Sequence, residues 1–271
     1  MYREFFGLRE KPFNVTSDPD FLFLSRIHKE AFSHLLYGIK ERKGFLEITG
    51  EVGAGKTTLC RALLKQLDAN TKSAFIFNST LPELQLLQAI VEDFGLAVER
   101  KNKGAILRQF NNFLLQEVSK GNNVILIIDE AQNLKMSTLE EIRMLSNLET
   151  DKEKLFQIIL VGQPELKNKL NSPSLRQLRQ RIGVRFHITP LERPDIGAYI
   201  YHRLCVAGSN GAISFAEDAI DLIYQYSGGV PRVINVVCDK ALLSAYVMET
   251  KSITLPIIDR SIKEIEGAVY V

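Results

Sequence analysis

Apolar residues along this chain change their spacing repeatedly, and each change marks an element. Ile27, Ala31, Leu35, Leu36 and Ile39 recur at three and four residues, which predicts an amphipathic helix over 27–42. Phe45, Leu46 and Ile48 form a short run that reads as a buried strand, and Leu59, Ala62, Leu63 and Leu67 then return to helical spacing. A second strand is predicted at 73–78, followed by helices over 81–94 (Leu84, Leu87, Ile90, Val91) and 103–119 (Ile106, Phe110, Phe113, Leu114). Residues 124–128 are apolar without interruption, the mark of a strand covered on both faces. A helix over 136–148 and strands at 155–161 and 184–188 complete this part. Five strands alternating with helices predict an α/β fold with a parallel five-stranded sheet and right-handed crossovers.

After Pro190 the alternation stops and only helical patterns remain, at 195–206, from the 214–217 segment, from 231 to about 249, and at 256–266. Ser214 and Glu217 have the spacing of a capping box at the start of the second of these, and Gly228-Gly229 ends it. Pro231 suits the first turn of the third. We therefore expect an α/β domain at 1–190 and a helical domain at 191–271. Residues 1–25, rich in aromatics and prolines, are expected to form an irregular arm on the first domain.

Composition narrows the setting. The chain has 271 residues, 45% of them hydrophobic and 24% charged, as in ordinary soluble proteins. A net charge of +2 gives no global field toward nucleic acid or an anionic membrane. The three cysteines, Cys60, Cys205 and Cys238, are scattered and odd in number, and the four histidines lack metal-ligand spacing. No signal peptide and no span-length apolar run are visible. A cytoplasmic location is expected, with the inner membrane reached only through partners.

Candidate chemistry begins at the first strand. Gly50, Glu51, Val52, Gly53, Ala54, Gly55, Lys56 and Thr57, with Thr58 next, satisfy the phosphate-loop pattern G-x-x-x-x-G-K-[ST] between a strand and a helix. Free N–H groups there would face ATP phosphates, Lys56 would reach them as a cation, and the Thr57 hydroxyl would ligate Mg²⁺. The apolar strand at 124–128 ends in Asp129 and Glu130. A carboxylate at the end of a buried strand is costly unless something binds it, so Asp129 is the expected second contact to Mg²⁺. Glu130 is then placed to act as general base on a water attacking the γ-phosphorus.

Phosphate loop, acidic strand end and helical lid together resemble the AAA+ ATPases. More narrowly, Tyr2-x-x-Phe5-Phe6-Gly7-Leu8, Pro12-Phe13, Asp18-Pro19, Gly50-Glu51-Val52-Gly53, Asp129-Glu130-Ala131-Gln132 and Val161-Gly162-Gln163-Pro164-Glu165-Leu166 resemble the ExeA-like family, the general secretion pathway protein A type. The resemblance implies a P-loop sheet with an all-helical AAA+ lid, and partners among secretion, pilus or exopolysaccharide-export proteins. Members often continue into a membrane span and a periplasmic peptidoglycan-binding domain, and neither falls within these 271 residues.

The same resemblance implies further site residues. Asn78 stands where such proteins hold the catalytic glutamate, Gln163 where a sensor meets the γ-phosphate or the water, and Arg232 where the lid meets the nucleotide. Arg176, Arg179, Arg181 and Arg185 lie where an arginine finger reaches a neighbouring subunit, Arg181 being favoured. This implies a homo-oligomer. The reading is a Mg²⁺-dependent ATPase that drives or gates an envelope machine. A DNA-associated ATPase resembling transposition helpers, or a nucleotide-gated scaffold, is the alternative.

Overall fold

The computed structural model of the protein describes residues 2–77, 79–98, 102–146 and 154–267. In chain order the elements are α1 (Tyr2–Phe6), α2 (Arg26–Lys40), β1 (Phe45–Gly50), α3 (Lys56–Gln66), β2 (Thr71–Ile76), α4 (Glu83–Asp93), α5 (Lys103–Ser119) and β3 (Asn123–Ile128). They continue with α6 (Met136–Leu145), β4 (Gln157–Gly162), α7 (Pro164–Leu170), α8 (Arg176–Arg181), β5 (Ile182–Ile188), α9 (Arg193–Val206) and β6 (Ser214–Phe215). The last are α10 (Glu217–Ser227), α11 (Pro231–Val247), β7 (Ser252–Ile253) and α12 (Leu255–Ile265).

The chain divides into two units. The first comprises residues 29–50 and 59–188 and holds a five-stranded sheet of order β2-β3-β4-β1-β5. Every neighbouring pair is parallel. All five strands therefore end at one edge of the sheet, the place where open α/β sheets collect ligand-binding loops. β1 and β4 are buried along their whole length, and β3 from Val124 onward. One core cluster of this unit joins Phe45, Leu126, Ile158 and Leu160 of the sheet to Leu86, Ile90, Ile106, Phe110, Leu114 and Ile142 of the helices. The predicted strands and helices are found here with shifted ends. β2 stops at Ile76, and α6 stops at Leu145.

The second unit comprises residues 1–28, 51–58 and 189–271. Its core joins Ile196, Ile200, Leu204, Ile223, Ile234, Leu242 and Ile258 to Tyr2, Phe6, Phe13 and Phe21 of the N-terminal segment. The arm thus belongs with the C-terminal helices rather than with residues 29–188, where the sequence reading put it, and it opens with the short helix α1. Arg203 fixes it there. This side chain is buried, donates from Nε to the Pro12 carbonyl (2.6 Å) and from Nη2 to the Asn14 carbonyl (3.0 Å), and lies over the Phe21 ring. The capping box does not form. Ser214 lies in β6, its N–H donating to the Lys251 carbonyl, and its hydroxyl faces that of Ser252 across the β6–β7 pair. α10 begins at Glu217 behind Ala216, which makes no side-chain cap.

Candidate active site

Within the second unit, residues 51–55 form a tight loop that runs into α3, so Lys56, Thr57 and Thr58 are the first turn of that helix. Their N–H groups precede any helical acceptor, which makes this end an anion site. Gly53 has φ +81°, and a Cβ there would sit 2.6 Å from Cβ of Arg232, so no other residue fits. The Arg232 N–H donates to the Gly53 carbonyl (3.3 Å), which fixes the first turn of α11 against the loop. The Arg232 side chain is exposed. Lys56 is 5% exposed, and its Nζ donates to the Glu51 carbonyl (2.9 Å).

His28 supports the loop from within the same unit, and sequence reasoning missed it. Its Nε2 lies 3.0 Å from the Ala54 carbonyl and its Nδ1 2.8 Å from Ser25 Oγ. A carbonyl only accepts, so Nε2 carries the proton and Nδ1 accepts from the serine. Burial holds this imidazole below its ordinary pKa, while the bond to Ala54 and the charge of Asp195 act in the opposite direction.

Within the first unit the functional side chains gather where β3 and β4 end. Asp129 is 3% exposed and accepts on Oδ1 from the Glu130 N–H (2.9 Å). Glu130 has φ +52°, a left-handed conformation that costs a non-glycine residue about 1–3 kcal/mol and persists only where the surroundings hold it. They do so here. Ser79 Oγ donates to the Glu130 carbonyl (2.7 Å), and Oε2 of Glu130 accepts from Nε2 of Gln132 (2.5 Å) and of Gln163 (3.1 Å). Gln163, Asp129 and Glu130 thus lie together in this unit, and Gln132 and Ser79 join them. Asn78 lies outside the described residues.

The arginines are placed unequally. Arg181 ends α8 and donates from Nη1 to Ser146 Oγ (2.8 Å). Arg185 lies in β5, 3.3 Å from the buried carboxylate of Glu47, and donates from Nη2 to the Arg179 carbonyl (2.6 Å). Burial pushes the Glu47 carboxyl up, against the pull of Arg185 and Lys167. The side chains of Arg176 and Arg179 make no hydrogen bond or ion pair with a described residue.

Among the described residues no group of three or more His, Cys, Asp and Glu side chains forms a ready metal cluster. Thr57 and Asp129 offer a hydroxyl and a carboxylate. Each is a hard oxygen of the kind Mg²⁺ takes in small number while it keeps its waters, so each by its chemistry suits that ion.

The sheet order, the phosphate loop after β1, the acidic pair after β3 and the glutamine after β4 define a P-loop ATPase of the AAA+ class. Residues 39–170 match the family described as an AAA domain. The chain is 42% identical over 268 residues to general secretion pathway protein A of Aeromonas hydrophila, which covers 98% of this chain. In this it is similar to the ExeA-like AAA+ ATPases, and it spans about half, 49%, of that relative's length. Among solved structures it is similar to the ORC2 protein of Aeropyrum pernix, with a TM-score of 0.72, 18% identity, and 94% of this chain and 71% of that one covered. It is also similar to the RuvB Holliday junction branch migration motor of Thermotoga maritima, at 0.57, 18%, 89% and 69%. At such identities the likeness establishes the fold.

Proposed function

We propose that this chain binds Mg²⁺-ATP and hydrolyses it to ADP and phosphate, and that the nucleotide state drives or gates assembly of a bacterial envelope machine for secretion, pili or exopolysaccharide export. The observation that carries the catalytic part is Glu130, whose backbone is strained and whose carboxylate is held by two glutamines directly after a buried strand. Loop N–H groups and Lys56 bind the phosphates, Arg232 contacts them from α11, and Gln163 senses the γ-phosphate or the water. Glu130 takes a proton from water as its oxygen bonds to the γ-phosphorus, and the bond to the β–γ bridging oxygen breaks. Thr57 and Asp129 would hold Mg²⁺, which neutralises phosphate charge when bound. The relative's name supports the secretion role, and the arginines of α8 support a homo-oligomer in which one subunit serves the next.

The test is Glu130→Gln. ATP affinity should stay within a few-fold, while turnover falls on the order of 100-fold or more, the usual contribution of a positioned base. Wild-type turnover in this variant would remove Glu130 from the chemistry. Binding to duplex DNA that weakens steeply with salt would favour the DNA-associated alternative over the envelope role.

A further inference from the structure

Gln132 bridges two strand ends through one carboxamide. Its Oε1 accepts from the Gln163 N–H (3.2 Å), where the chain leaves β4, and its Nε2 donates to Glu130 Oε2 (2.5 Å), where it leaves β3. The backbone around it is pinned as well, because Lys169 Nζ donates to the carbonyls of Gln132 and Leu134. A Cβ at Gly162 would come within 2.8 Å of Gln132 Oε1, so glycine there keeps the carboxamide in place. Glu130 is thereby held asymmetrically. Oε2 accepts from both Gln132 and Gln163, whereas Oε1 accepts from no described residue.

We propose that Gln132 is a positioning residue that locks the Glu130 carboxylate by Oε2 and leaves Oε1 as the atom that accepts the proton of the attacking water. This rests on the hydrolytic reading above and adds to it the residue that sets the geometry of the base. Two donors on one oxygen fix a side chain that would otherwise rotate, and a misplaced catalytic group loses rate without losing substrate.

The experiment compares Gln132→Ala and Gln132→Glu with Glu130→Gln by single-turnover hydrolysis, binding of a fluorescent ATP analogue and thermal melting. Gln132→Glu keeps the size and the Oε1 acceptor but replaces the donor with a carboxylate, so it separates donation from packing. Both Gln132 variants should lose on the order of 10- to 100-fold in kcat, with analogue affinity within twofold of wild type. In a Glu130→Gln background, Gln132→Ala should change the residual rate no further. Wild-type kcat in both Gln132 variants, beside an inactive Glu130→Gln, overturns the positioning role and leaves the base intact. A folded variant whose rate loss is matched by lost affinity overturns it too. Full activity in Glu130→Gln instead removes the hydrolytic reading itself.

Discussion

At the scale of single residues, the phosphate loop holds itself closed. Lys56 spends a charged donor on the Glu51 carbonyl of its own loop, a bond that nucleotide phosphates would replace with a stronger one. Lys56→Ala should therefore weaken ATP by on the order of 10- to 100-fold, as loss of a hydrogen bond to a charged group implies, measured by analogue titration. His28 makes the loop sensitive to acid. Its folded pKa is depressed from 6.5 by burial, so the unfolded chain binds the proton more readily. The stability it supports is complete above about pH 6.5 and is lost as pH falls through the folded value. His202 is depressed for the same first cause. Melting temperature should drop on acidification below that range, and His28→Gln, which can still donate to Ala54, should flatten part of the drop. An unchanged acid limb in that variant would clear His28 of the effect.

At the scale of elements, what the sequence made legible was local. The loop, the helix after it and the acid pair after β3 are each written in consecutive residues, and β3 itself in an unbroken apolar run. What stayed hidden depends on distant partners. Gln132 meets Gln163 across 31 positions, His28 meets Ala54 across 26, and Arg203 meets Pro12 across 191. Ser214 carries a helix-cap signature, yet its N–H finds the Lys251 carbonyl, so a long-range strand pair overrides a local preference. The arm gives this a test. Arg203 is buried without a carboxylate partner among the described residues, satisfied by two carbonyls, the Tyr199 hydroxyl and an aromatic face. Arg203→Ala would leave those carbonyls short of donors and should cost about 2–4 kcal/mol. It should also open residues 1–25 to protease ahead of global unfolding. Wild-type protection of the arm would mean that the aromatic contacts of Tyr2, Phe6 and Phe13 hold it unaided.

At the scale of the whole molecule the open question is whether one chain completes its own site. Arg176 and Arg179 present guanidinium groups without partners among the described residues, and Arg181 gives one donor to Ser146 while the rest of its fork has no partner among those residues. A planar cation held at the end of a short helix suits a phosphate that belongs to another subunit. If the proposed finger acts in trans, turnover per chain should rise with protein concentration, and Arg181→Ala should lower it while sparing ATP binding by that same chain. Mixing then separates pocket from finger. Lys56→Ala subunits keep their arginines but bind nucleotide poorly, and Arg181→Ala subunits keep their pocket. Either alone should be nearly inactive, and the mixture should recover hydrolysis because the first kind supplies its arginine to the second. The same mixture with Arg176→Ala or Arg179→Ala in place of Arg181→Ala assigns the finger among the three. Activity that is flat with concentration, together with full turnover in all three arginine variants, would make the protein a monomeric switch whose α8 cations face something other than a neighbour's ATP.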